Sequence, residues 1–148
     1  MFKIKQSLDA VNYGAYFYTG EPLTMEAVVD RAVKFGYDAV DLWPHRPMTF
    51  PADFSAAKRK DLLHYANDKG IKFAAVDGCT NFMRTEHILV PHTEMQLLYV
   101  RSICELARDL DCPTVRILPA FIGYFWQPYW DQGYCQTAMH SRTVEVST

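Results

Sequence analysis

Most of the short signatures that announce a chemistry are missing from this chain. Its four cysteines, Cys79, Cys104, Cys112 and Cys135, form no CxxC pair, which removes thioredoxin-like redox motifs and zinc ribbons and fits a reduced, cytoplasmic compartment. There is no GxSxG elbow, P-loop or HExxH helix, and Cys79 carries no sign of an activated thiol, so nucleophilic catalysis has little support. His87 and His92 flank "ILVP" at a spacing that suits no zinc site, and they read as surface histidines. No apolar run approaches the roughly 20 residues needed to cross a bilayer, and no basic, apolar leader precedes the first strand-like segment. Nor is there an excess of one charge: 15 Lys and Arg stand against 17 Asp and Glu, for a net charge of −2, and the basic residues are scattered. Polyanion binding, nucleic acid included, is not expected.

What the sequence does have is regular alternation of strand-like and helix-like segments. "FKIKQSLD" alternates apolar and polar residues as a strand does, and Thr24 then caps a helix with apolar residues at Met25, Val28, Val29, Ala32 and Val33, ended by Gly36. "DAVDLW" is strand two, and a second helix runs from about Ser55 to a glycine stop at Gly70. "IKFAAVD" is strand three. Thr93 and Gln96 have the spacing of a capping box for "EMQLLYVRSICELARDLD", Pro113 blocks its continuation, and "TVRIL" is strand four.

Strand markers Ile4, Val40, Ala74 and Ile117 lie 34 to 43 residues apart, a strand–helix period rather than a sequence repeat. Such alternation gives a parallel sheet with right-handed crossovers, either an open doubly wound sheet or a closed eight-stranded barrel. The first loop, "LDAVNYGAYFYTGEP", has no glycine-rich cradle opening into a helix, and only four strands are present, so the open sheet is disfavoured. Eight such units would need about twice this length, near the ~250 residues typical of a (β/α)8 barrel. The expected fold is therefore α/β: parallel (β/α) repeats, about four βα units, the amino-terminal half of a TIM barrel. Residues 1–148 are read as one partial domain, cut before strand five.

"VVDRAVKFGYDAVDLW", a helix leading through a Gly-aromatic-Asp turn into a strand that carries an acid, resembles the signature of the sugar phosphate isomerase/epimerase family of xylose-isomerase-like TIM barrels. "ARDLDCPTVRILP" is a second family-like pattern, and together the likeness spans most of residues 1–120. The resemblance implies interconversion of sugar isomers or epimers by proton transfer next to a carbonyl. It also implies a divalent metal (Mn, Mg or Zn) in the full-length protein, held by two Glu, one Asp and one His on strands five to eight. No residue here inherits a ligand role, so this chain alone is expected to hold no metal and to be an inactive fragment.

In barrel enzymes the site is built at the carboxyl ends of the strands. That places Asp41 late in strand two, Trp43 at its end and His45 just beyond: a carboxylate for sugar hydroxyls, an indole for an apolar sugar face and a donor. Each also has an ordinary reading, as an ion pair, core packing and a solvated loop residue. Asp77 ends strand three, although "DGCTN" is also common turn chemistry. Arg116, inside strand four, needs an acceptor such as Asp41, Asp77 or a bound anion, a structural ion pair being favoured. Phe125 and Trp126 belong to an aromatic loop that can wall a sugar site or pack against another surface.

The expected ligand is thus a small sugar or sugar phosphate. Two further readings stand beside it: a non-catalytic half-barrel that self-associates through exposed edges, and a metal hydrolase of the abasic-site endonuclease kind, which the charge distribution disfavours.

Overall fold

A computed structural model describes residues 4–14, 18, 20–82 and 89–119. The chain divides into two compact units, one formed by residues up to Gly78 with Arg101–Arg116, the other by Cys79–Val100 with the residues from Ile117 on.

The first unit holds one parallel sheet. Its strands are β1 (Ser7–Asp9), β2 (Ala39–Leu42), β3 (Lys72–Asp77) and β4 (Val115–Arg116), in spatial order β1-β2-β3-β4 with every pairing parallel. Helices α1 (Met25–Phe35), α2 (Ala56–Asp68) and α3 (His92–Asp109) are the connections. These are the expected four parallel strands alternating with helices; a helix after β4 would fall outside the described residues.

The helix boundaries follow from their caps. The Thr24 hydroxyl accepts from Ala27 N at 3.3 Å and that of Ser55 from Lys58 N at 3.3 Å, while Gly36 ends α1 in the left-handed region at φ 77°. On α1 the residues Met25, Val28, Val29 and Ala32 are buried; Val33, expected in the same stripe, is exposed because the stripe is narrower than five positions.

Three boundaries differ from expectation. β1 is only Ser7–Asp9, since Ile4, Lys5 and Gln6 lie outside the ladder, and β4 is only Val115–Arg116. Helix α3 starts at His92, one position before the expected cap Thr93, because Pro91 already supplies the carbonyl that accepts from Met95 N at 3.0 Å. Gln96 consequently makes no capping box; its side-chain oxygen accepts from Asn81 N at 3.0 Å.

The core lies on one face of the sheet. Leu8, Val40, Leu42, Phe73 and Val76 are buried there, as are Val28 and Val29 of α1, Leu62 and Ala66 of α2, and Ile103 and Leu106 of α3. Phe73 and Val76 are three residues apart, which strict alternation cannot put on one face. The pairing explains it: Val40 is opposite Phe73 but Asp41 is opposite Ala75, so β3 carries one extra residue, Ala74. That bulge shifts the phase of everything after it.

Candidate functional site

Because side chains alternate, the face opposite the core receives Ser7 and Asp9 from β1, Asp41 from β2, and Ala75 and Asp77 from β3. Strict alternation through Ala74 would turn Asp77 towards the helices; with Ala74 bulged out of the ladder, Asp77 falls in phase with Asp41. β4 adds Arg116, level with Asp77. Three carboxylates and one guanidinium thus share one sheet face at the carboxyl ends of four adjacent strands.

Each has a partner. Asp9 stands level with Asp41, and its carboxylate caps the short 3-10 turn at Ala10–Tyr13 by accepting from Val11 N at 2.9 Å. Asp41 accepts from the Ser7 hydroxyl at 2.8 Å. Arg116 Nε meets Asp77 Oδ1 at 2.9 Å, with the Asp77 side chain 8% exposed and that of Arg116 55% exposed. The expected ion pair is present. Its partner is Asp77, which is a strand-end carboxylate and not primarily a turn former as "DGCTN" suggests.

The carboxylates sense one another. Burial pushes the Asp9 carboxyl above its ordinary range; the Val11 amide pulls it back, the Asp41 charge raises it and Arg116 lowers it. Asp77 is likewise raised by burial, lowered by Arg116, and raised by Asp9 and Asp41. That Arg116 acts on Asp9, with two strands between them, is consistent with both groups facing the same side. The surface can accept hydroxyl donors through its carboxylates and offer guanidinium N–H groups to a ketone oxygen or an anion.

Trp43 and His45 sit differently. Trp43 is 4% exposed, and its ring lies so close to Gly14 that a Cβ built there would be 2.4 Å from Cζ3. Its carbonyl accepts from the buried Thr49 hydroxyl at 2.9 Å, and the His45 ring lies 4.9 Å away, centroid to centroid. Burial lowers the His45 pKa, so its imidazole is neutral near pH 7. Trp43 therefore supports the β2 end as packed structure. Gly14→Ala should cost about 1–2 kcal/mol, as overpacking against a buried ring does, and thermal unfolding followed by Trp fluorescence checks it. Phe125 and Trp126 lie outside the described residues, as does His87; His92 is half-buried at the start of α3.

Sequence reasoning missed Ser7, Asp9 and Gly14. A signal for Asp9 existed, since "SLD" closes strand one with an acid just as "AVD" closes strand three. Gly14 had none, because its role is defined by an indole almost thirty positions away.

Among the described residues no three His, Cys, Asp or Glu side chains converge as a metal-ion site. Among those residues no helix is long and apolar enough to cross a membrane.

No protein-family model matches the sequence, and no characterised protein matches it by sequence. Solved structures do match the fold. A D-psicose 3-epimerase crystallised in the presence of D-fructose superposes with a TM-score of 0.60 at 15% identity over 96% of this chain and 45% of its own. The D-psicose 3-epimerase of Clostridium cellulolyticum H10, solved with D-tagatose, gives 0.60 at 13% identity over 97% of this chain and 47% of its own. A probable 3-DHS dehydratase of Bacillus anthracis gives 0.55 at 15% identity, covering 95% and 46%. The chain spans about half the length of the structures it matches. At such identities the likeness is one of fold, and it fits the expected α/β half-barrel of parallel strands.

Proposed function

We propose that this chain forms the amino-terminal half of a sugar isomerase or epimerase and contributes the substrate-holding side of its mouth. The observation that carries this reading is the placement of Asp9, Asp41, Asp77 and Arg116 on one face at the carboxyl ends of consecutive strands, where barrels of this kind place their chemistry. The fold neighbours named for D-psicose 3-epimerase point to ketoses as the substrates to try first.

In this reading Asp41, oriented by the Ser7 hydroxyl, accepts from a sugar hydroxyl, and Arg116, braced by Asp77, donates to the carbonyl end or to a phosphate. Asp9 is a further acceptor beside Asp41. A resident divalent ion in the full-length protein would stabilise an oxyanion formed next to the carbonyl. The residues of this chain hold and orient the sugar, and the base and the ion belong to the other half.

The test has two arms. Titration of the isotopically labelled chain with a panel of ketoses and ketose phosphates should shift the amides of Ser7, Asp9, Asp41 and Arg116, and Asp41→Asn should weaken binding about tenfold, the loss of a charge-assisted hydrogen bond. Incubation with manganese or magnesium in deuterium oxide should give no exchange at the carbon beside the carbonyl. Absence of any ketose-dependent shift would overturn the sugar-holding role. Metal-stimulated exchange lost in Asp41→Asn would instead place the catalytic apparatus in this half.

A further inference from the structure

The loop that follows β2 is tied down at both ends. Near its start the buried Thr49 hydroxyl donates to the Trp43 carbonyl at 2.9 Å. At its far end one guanidinium holds it. Arg59, its side chain 13% exposed, donates from Nε to the Phe54 carbonyl at 2.8 Å and from Nη2 to that of Pro51 at 3.1 Å, while Nη1 reaches Asp109 of α3 at 2.8 Å. Arg46 pairs with Asp53 and has its guanidinium carbon 4.1 Å from the centre of the Phe50 ring. A loop fixed at so many points keeps its shape without a ligand, which lowers the cost of binding one.

This loop and the start of α1 together line a pocket of about 350 Å³. Its apolar lining is Leu23 and Met25 on one side and Met48 and Phe54 on the other, with Met25 and Met48 buried. The volume lies within the roughly 300–1,000 Å³ that small-molecule sites span. None of Asp9, Asp41, Asp77 and Arg116 lines it, so it is separate from the charged sheet face.

Its charged lining is Glu26 of α1, Asp53 of the loop, and Lys58 and Asp61 of α2, three carboxylates against one ammonium. Both nearby cations are drawn to one of the three: the Asp53 carboxyl is lowered by its bond to Arg46 and also by Lys58. Among the described residues Glu26 and Asp61 are in no ion pair. The start of α1, which could otherwise attract an anion, is already served by the chain. The Thr24 hydroxyl accepts from Ala27 N, its carbonyl accepts from Val28 N, and Glu26 lies in the first turn.

We propose that this pocket binds a small organic cation, an ammonium or amidinium group on a compact apolar body, with the body against Met25, Met48 and Phe54 and the cation held by Glu26 and Asp61. Methionine side chains adapt to flat or branched bodies, so selection rests on charge and size. Glu26 and Asp61 are exposed, so each contributes modestly and salt weakens both. The site does not depend on a sugar at the strand ends.

The probes are benzamidinium, benzamide and benzoate, bodies of nearly one shape that differ in charge. Titrated at low salt into the isotopically labelled 148-residue chain, benzamidinium should shift the amides of Glu26, Met48 and Phe54 along a saturable curve. It should bind about tenfold more tightly than benzamide, with no saturable shift from benzoate. Glu26→Gln and Asp61→Asn should each weaken benzamidinium about two- to fivefold, the loss of an exposed ion pair, and together about tenfold, with benzamide unaffected. Raising sodium chloride from about 20 mM to about 0.5 M should do the same without any substitution. Equal affinity for benzamidinium and benzamide would leave an apolar cavity with no charge preference, and tighter binding of benzoate would make Lys58 and the helix start the recognising groups. Either result overturns the cation site. So does the absence of a saturable shift from all three probes, or shifts confined to Ser7, Asp9 and Asp41, which would send the cation to the sheet face instead.

Discussion

Inserting one alanine between Ala75 and Val76 should abolish the folded state at 25 °C, a larger effect than truncating any single core residue. The pairing of β3 with β2, bulged at Ala74, sets the phase of Val76 and Asp77. One residue more ahead of Val76 turns Val76, fully buried, towards the charged face and turns Asp77 into the helix-packed core. The first change forfeits about 1.5–3 kcal/mol of side-chain burial. The second strands a carboxylate without its Arg116 partner, and breaking a buried pair in this way costs about 3–5 kcal/mol. Their sum is comparable to the about 5–15 kcal/mol that holds a typical domain together. Circular dichroism and urea titration measure the outcome, with Ala74→Gly as the control that keeps residue count and register; it should lose about 1 kcal/mol or less. An insertion variant melting within a few degrees of the parent would show that the β2–β3 register does not aim Asp77.

That bulge also marks where the sequence stops being informative. The alternation of strands and helices was legible because helices announce themselves: Thr24 and Ser55 as caps, Gly36 and Gly70 as stops, and apolar residues at helical spacing between them. Asp41 was legible because an acid in a strand of apolar residues has few reasons to be there. The face that Asp77 occupies was not, since "KFAAVD" reads the same with or without a bulge, and the choice is made by pairing with β2 rather than by local preference. Trp43 was ambiguous in a different way. An aromatic residue at a strand end fits a sugar platform and a core anchor equally well, and the decision rests on Gly14, whose missing side chain lets the first loop close over the indole. The Thr93 box failed because proline one residue before His92 provides an earlier start for α3, which leaves Gln96 for the Asn81 amide.

Replacing Arg116 by methionine should lower stability by about 2–3 kcal/mol at pH 7, between the ~0–1 kcal/mol of an exposed pair and the ~3–5 kcal/mol of a fully buried one, because Asp77 is buried while Arg116 is half in solvent. The pH dependence separates this from a packing loss. Burial, Asp9 and Asp41 already raise the Asp77 carboxyl above its ordinary value of 3.8, and Arg116 is the cation that opposes them. A carboxyl with a raised folded pKa stabilises the fold while it is protonated, below the unfolded value, and that contribution is lost as the pH rises through the folded value. Removing Arg116 raises the folded value further. The variant should therefore draw level with the parent as the pH falls through the ordinary carboxyl range and Asp77 becomes protonated in both, and fall behind it progressively towards pH 7. Asp30, Asp53 and Asp109 have carboxyls lowered by Lys69, Arg46 and Arg108, so they pull the other way on acidification, but they do so equally in parent and variant and cancel in the difference. Adding Asp77→Asn to Arg116→Met removes the charge left behind and should recover most of the loss, an outcome a simple cavity does not give. Urea midpoints at pH 4 and pH 7 for the four proteins decide it: a deficit of equal size at both pH values, unrelieved by Asp77→Asn, would mean that the Arg116 stem acts by packing and that the carboxylates at the strand ends do not depend on it.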